Sequence, residues 1–176
     1  MLDGVRVYFD TMLYLNKFGD IAKVRPETLN MFAKVKSGEF RLIISQLTFV
    51  EMYHVMCLPL EKITNFEAAY EAMTEIRNAY DETKKLILHF PNTDIVQNEF
   101  NGIDTERMTT FVENVPGSKL IDFIGVRKYP GSMDFIHLMT ATNLKCEKFF
   151  TNDEGVIQLD SYQFKGNMKI IRPYRA

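Results

Sequence analysis

Four acidic residues interrupt apolar stretches of this sequence. Asp10 follows Tyr8-Phe9, Glu51 follows Phe49-Val50, Asp134 precedes Phe135-Ile136, and Asp153 comes shortly after Phe149-Phe150. A carboxylate set among apolar side chains is costly to bury unless a positive charge compensates it. Gathered in one crevice, the four would form a site that requires such a charge. Two of them also begin acid-x-x-His spacings, Glu51-Met52-Tyr53-His54 and Asp134-Phe135-Ile136-His137. That spacing puts an acid and an imidazole on one helical face. Two such elements on facing helices hold di-metal redox centres in carboxylate helix bundles. That architecture needs its other carboxylates on two more helices, whereas Asp10 and Asp153 follow strand-like runs. A lone histidine beside an apolar face reads as a packing residue, and both His54 and His137 fit that description.

Each acid also has a purely structural reading. Asp10 suits a turn or a helix cap, and Asp134 suits a helix N-terminus. Glu51 faces solvent if the helix phase is shifted, and Asp153 suits a turn. The functional case rests on the set, and therefore on the elements that carry it.

Val5-Arg6-Val7-Tyr8-Phe9 reads as a short buried strand ending at Asp10-Thr11, followed by a helix over Met12 to Phe18 that stops at Gly19. Pro26 begins a second helix and Ser37-Gly38 ends it. Phe40-Arg41-Leu42-Ile43-Ile44 is a second strand reaching Ser45, and apolar positions recur at helical spacing from Gln46 to Cys57. Asn65 caps a long helix to about Leu88, with Phe66, Ala69, Met73, Ile76 and Tyr80 on one stripe. The stretch from Pro91 to Gly131 is the least regular. It suggests strands at Asp94-Ile95-Val96 and Leu120 to Val126, and a helix from Thr105 to Val115. Ser132 caps a helix to about Leu144, Lys148 to Thr151 reads as a strand, and Lys165-Gly166-Asn167 turns into a last strand over Met168 to Ile171. Strands alternating with helices predict a mainly parallel sheet with helices on both faces. In such sheets ligands bind beyond the carboxyl ends of the strands, where Asp10 and Asp153 are expected.

The composition bounds the class without naming a partner. With 176 residues, 46% hydrophobic, the chain is the size of a single domain, and no linker divides it. The net charge of -2 excludes a polycationic nucleic-acid binder but leaves room for an enzyme with a local basic rim. Cys57 and Cys146 are far apart and match no paired-cysteine pattern, which points to a reducing, cytoplasmic setting. No apolar run approaches the ~18 residues of a membrane span. Asp3, Arg6 and Asp10 stand where a signal peptide would need its apolar stretch.

Four pieces of the chain resemble the PIN-domain family, and in particular its VapC-type ribonuclease toxins. Val7-Tyr8-Phe9-Asp10-Thr11 is similar to the family's opening strand and first acid. Ser45-Gln46-Leu47-Thr48-Phe49-Val50-Glu51 is similar to its Ser-x-x-Thr-x-x-Glu helix start. Asp134-Phe135-Ile136-His137-Leu138-Met139-Thr140-Ala141 resembles the Asp-Ala-Ile-His-Leu-Ala-Thr-Ala helix, and Phe150-Thr151-Asn152-Asp153 resembles the Thr-x-Asp strand end. The resemblance covers about residues 5 to 60 and 130 to 172. It leaves 91–131 unassigned, a stretch longer than a compact member requires.

The resemblance implies a three-layer α/β/α sandwich with a central, mainly parallel sheet. It implies one or two Mg²⁺ or Mn²⁺ ions in an acidic pocket, with Asp10, Asp134 and Asp153 as the main ligands. Glu51 would act through water or position the attacking water. Thr11 and Thr151 would support the acids, and Glu154 is a supplementary ligand or a solvated loop acid. The hard oxygen donors suit such ions independently of any family. The activity implied is metal-assisted hydrolysis of RNA phosphodiester bonds to 5′-phosphate and 3′-hydroxyl ends. The partners implied are RNA, a cognate antitoxin protein that covers the pocket, and a second copy in a homodimer. The competing reading is a non-catalytic module of the same fold that binds RNA or protein. RNase H-like nucleases also place four acids on an α/β fold, but usually begin with a longer antiparallel meander. Two basic excesses would rim the site on an RNA-binding reading. One is Lys17, Lys23, Arg25, Lys34, Lys36 and Arg41; the other is Lys165, Lys169, Arg172 and Arg175. Solvated faces are the better reading of both.

Overall fold

The computed structural model describes residues 4–19, 24–97, 132–161 and 166–174. Strand β1 (Val5–Phe9) leads into helix α1 (Thr11–Phe18), then α2 (Pro26–Lys36), β2 (Phe40–Ser45), α3 (Gln46–Cys57) and α4 (Phe66–Leu88). Next come β3 (Thr93–Val96), α5 (Ser132–Asn143), β4 (Lys148–Phe150), the single turn α6 (Glu154–Ile157) and β5 (Lys169–Ile171). Two 3₁₀ turns, Leu58–Lys62 and Gln158–Ser161, have no counterpart in the sequence reading. The helix expected over 105–115 and the strand over 120–126 lie outside the described residues.

Local chemistry accounts for the boundaries. Pro26 occupies the first turn of α2, where its missing N–H costs nothing. Ser45 caps α3 by accepting the Leu47 N–H, and Asn65 caps α4 by accepting that of Ala68. Gly38, at φ 82°, makes the left-handed turn between α2 and β2 that a side chain would disfavour.

The five strands are all parallel, in the order β3-β2-β1-β4-β5, with helices on both faces: a three-layer α/β/α sandwich. Alternation along the strands divides the core in two. Val7, Phe9, Leu42, Ile44 and Phe150 pack against α1, α2, α3 and the end of α4, through Leu13, Phe32, Met52 and Ile87 among others. Tyr8, Ile43, Phe149 and Ile170 face the opposite layer, with Phe135 and Leu138 of α5 and Val156 of α6. Because both faces of the sheet are buried at its centre, β1, β2 and β4 are predominantly apolar, whereas the edge strand β3 is not.

The stripe expected on α4 divides. Phe66 is 84% exposed and Met73 is 46% exposed, whereas Ala69, Ile76 and Tyr80 turn inward. The covered line continues from Ala69, Ile76 and Tyr80 to Thr83 and Ile87; Ile76 and Tyr80 pack against the core, and Thr83 and Ile87 are buried. Among the described residues no helix is long and apolar enough to cross a membrane.

The strand order fixes where a site can form. From β1 the chain winds outward through β2 to β3, then crosses back to place β4 on the other side of β1. The crevice beyond the carboxyl ends of β1 and β4 is therefore the topological switch point of the sheet.

Candidate active site

Asp10 leaves β1 at that switch point. Phe9 and Phe150 pair across the β1–β4 ladder, and the Asp10 N–H donates to the Phe150 carbonyl at 2.9 Å. Asp10 also occupies the N-cap position of α1, yet its side chain makes no cap hydrogen bond. Its Oδ2 instead accepts the Thr151 O–H at 2.5 Å, bridging the ends of the two strands. The cap reading therefore holds for the backbone of Asp10 and fails for its carboxylate. Burial pushes the Asp10 carboxyl up to about 6; the Thr151 hydrogen bond opposes this, and the Glu51 and Asp134 carboxylates add to it.

Glu51 is stabilised in the opposite sense. It stands on α3 with its side chain 22% exposed, where Oε2 accepts the Thr11 O–H and meets His137 Nε2 at 3.0 Å. Burial works against its charge. Hydrogen bonds from His137 and Thr11 outweigh it and hold Glu51 below the ordinary carboxylate range. His137 lies on α5, three residues after Asp134 and almost wholly buried. Its Nδ1 is 2.6 Å from the hydroxyl of Tyr8, a residue of β1 with no exposed surface.

The remaining acids are placed unequally. Asp134 occupies the first turn of α5, is partly exposed, and acts on Asp10 through its charge. Asp153 caps α6: its Oδ1 accepts the N–H groups of Gly155 at 2.7 Å and Val156 at 3.3 Å. It connects to Asp10 through Thr151, whose oxygen accepts the Asp153 N–H at 2.9 Å while its O–H serves Asp10. Glu154 points to solvent and pairs with Arg172 at 2.5 Å, a solvated acid as expected, but one that opens α6 rather than lying in a loop. The structure thus groups Asp10, Glu51 and Asp134 electrostatically, with Thr11 and Thr151 as donors to two of them. Asp153 is tied in through a hydroxyl and a backbone N–H.

The donor set fits a hard divalent cation. Its atoms are carboxylate oxygens, and the burial and lesser mutual repulsion that raise Asp10 are what such an ion offsets. Among the described residues no three His, Cys, Asp or Glu side chains already surround one point. Mg²⁺ does not require that, since it commonly takes one or two carboxylates and keeps several waters for substrate phosphate to replace. The basic excesses are partly neutralised. Lys34 pairs with Glu39 at 2.7 Å, Arg41 with Asp94 at 2.6 Å and Arg172 with Glu154, while Arg25 stacks 4.2 Å over the Tyr174 ring. Lys23, Lys165 and Arg175 lie outside the described residues.

Sequence reasoning passed over Tyr8 and gave His137 a packing role. The packing is real, but both are joined to Glu51 by hydrogen bonds. The available signal was the motif spacing, since Ser45, Thr48 and Glu51 recur every third residue on the start of α3. Thr48 lies 3.5 Å from the Tyr8 hydroxyl, and the Ser45 hydroxyl also acts on it. No protein-family model matches this chain, and a comparison with curated proteins found no match.

Proposed function

We propose that this chain is a metal-dependent endoribonuclease, cutting RNA phosphodiester bonds to leave 5′-phosphate and 3′-hydroxyl ends. The observation that carries the reading is the state of Asp10. It is a carboxylate at the switch point of a parallel sheet, directed away from its own helix cap. Thr151 is its hydrogen-bond donor, and the charges of Glu51 and Asp134 press upon it. A structural acid gains nothing from that arrangement, whereas a cation-binding acid does.

Asp10 and Asp134 would hold the ion, with Asp153 reached through the turn after β4. A bound Mg²⁺ or Mn²⁺ supplies a polarised phosphoryl oxygen and a water acidic enough to attack it near neutral pH. The residues of the chain do the positioning. Thr151 fixes the rotamer of Asp10 through its O–H and the loop after β4 through its oxygen. Glu51, ionised and anchored at Oε2, would accept a hydrogen bond from the attacking water and so aim the water's lone pair at phosphorus. A cognate antitoxin and a homodimer belong to the same proposal.

The test is Asp10→Asn, which preserves shape and the acceptor for Thr151 while removing the charge. Purified Asp10→Asn protein is expected to lose Mn²⁺-dependent cleavage of single-stranded RNA with an unchanged circular dichroism spectrum. Cleavage at the wild-type rate would refute the proposal.

A further inference from the structure

Five side chains from four elements, β1, β2, α3 and α5, form one hydrogen-bonded chain that ends on Glu51. The hydroxyls of Ser45 and Thr48 act on the oxygen of Tyr8, Tyr8 reaches His137 Nδ1, and His137 Nε2 reaches Glu51 Oε2. On the far side Thr11 donates to the same oxygen of Glu51. We infer that Tyr8 and His137 are positioning residues for Glu51, and that Tyr8 acts by holding the His137 ring in its Nε2–H tautomer. The inference rests on the proposed metal-dependent site, because it assigns to Glu51 a task that requires a fixed orientation.

For a neutral His137 ring the hydrogen-bond directions follow from what each group can donate or accept. An ionised carboxylate only accepts, so the hydrogen between His137 and Glu51 belongs to Nε2. In the neutral ring Nδ1 is then an acceptor, and the 2.6 Å contact is filled by the Tyr8 O–H. A phenol keeps its hydrogen at neutral pH, so the Tyr8 hydroxyl is available as that donor. Its lone pairs accept from the Ser45 and Thr48 hydroxyls, which completes the chain without a clash of donors. The Tyr8 ring is itself fixed, stacked on Phe149 with centroids 5.3 Å apart and planes 8° apart. The spacing Ser45, Thr48, Glu51 thus has one physical meaning. Successive turns at the start of α3 present two hydroxyls to Tyr8 and a carboxylate to His137.

Removing the Tyr8 hydroxyl leaves Nδ1 without its donor. The ring can then take the opposite tautomer, which turns an Nε2 lone pair toward Glu51 and releases the carboxylate. Outer hydrogen-bond partners of this kind change metal affinity or activity by roughly 10–100-fold.

The test uses Tyr8→Phe, His137→Phe and His137→Gln in the full chain. Tyr8→Phe keeps the stacked ring, so it remains informative if His137→Phe fails to fold. Nitrogen-15 NMR of the imidazoles in metal-free protein reads the tautomer, and Mn²⁺ calorimetry reads the site without any RNA. Wild-type His137 is expected to show the neutral Nε2–H form, and Tyr8→Phe a mixture of tautomers. Mn²⁺ should bind roughly 10–100-fold more weakly to His137→Phe, with Tyr8→Phe in between. His137→Gln, whose amide can still donate to Glu51, should lie nearer wild type. A protonated ring, an Nδ1–H ring, or unchanged Mn²⁺ affinity in folded Tyr8→Phe would overturn the inference. If the variants weaken Mn²⁺ binding but wild type cuts no RNA, only the ribonuclease proposal fails. If wild type cuts RNA and the variants match it in cutting and in Mn²⁺ affinity, only the positioning role fails. Wild type that binds no Mn²⁺ overturns both.

Discussion

Asp10→Asn should make the metal-free protein more stable at neutral pH, although it removes the residue on which activity is proposed to depend. The Asp10 carboxyl ionises near 6 in the folded chain and at 3.8 in its ordinary state. A group with a raised folded value favours folding at low pH, where it is protonated in both states. That contribution is fully present below 3.8 and disappears as pH rises through about 6. Each pKa unit corresponds to 1.36 kcal/mol, so the ionised carboxylate costs up to about 3 kcal/mol, or about 2 kcal/mol after discounting for the water that still reaches it. Asparagine behaves as the permanently uncharged form and keeps a carbonyl for the Thr151 O–H. Urea unfolding in the presence of a chelator, at about pH 4 and about pH 7.5, isolates the term, because every other titrating group is common to both proteins. The variant should exceed wild type by about 2 kcal/mol at the higher pH, which for a chain of this size is roughly 4–8 °C in Tm. The gap should narrow at the lower pH. Mn²⁺ at about 100 times its Kd should then raise wild type by about 2.7 kcal/mol and leave the variant unmoved. An Asp10→Asn protein less stable than wild type at neutral pH would refute the reasoning, since it would mean that the ionised carboxylate is well compensated by the fold alone.

Thr151→Val removes the donor to Asp10 and the acceptor for the Asp153 N–H, and should cost about 1.5–3 kcal/mol in urea unfolding; an unchanged midpoint would show that neither hydrogen bond matters. Asp153→Ala should cost about 1 kcal/mol through the lost cap of α6. Asp153→Ser restores a capping oxygen without the charge, so recovery of stability together with weak Mn²⁺ binding is the expected pattern. Recovery of both would leave Asp153 a cap and nothing more.

Much of the fold was legible because the sequence punctuates it with residues whose chemistry is local. Pro26 at the start of α2, Ser45 and Asn65 as caps, and Gly19 and Gly38 at helix ends mark boundaries that tertiary context rarely overrides. The turn α6 and both 3₁₀ segments were not legible, because they are too short to show a period. The α4 stripe held for Ala69, Ile76 and Tyr80 and failed for Phe66 and Met73, which share the apolar chemistry of their neighbours and differ only in which way the helix presents them. In the site, the types of the four acids were readable and their partners were not. Tyr8 inside Val5–Phe9 is indistinguishable from a core aromatic until the β1–β4 pairing and α5 bring a histidine 129 positions away within 2.6 Å of its hydroxyl. Likewise, the sequence placed Thr11 beside Asp10, but the helix turn directs its hydroxyl to Glu51.

The two central carboxylates meet the same problem in opposite ways, and the contrast bears on where a cation belongs. Glu51 receives hydrogen bonds from Thr11 and His137 on one oxygen, and the protein itself keeps it ionised. Asp10 is held by Thr151 and pressed by two like charges, and the protein leaves it under-compensated. Environments that push paired acids apart in this way are the pattern of a site whose members have different tasks. An arriving cation stabilises most the carboxylate that the fold stabilises least. It should therefore settle against Asp10 and change the ionisation of Glu51 little. The tether on Glu51 then has a reason beyond stability, because an acid that reaches the metal only through the metal's water has to be held by something other than the metal.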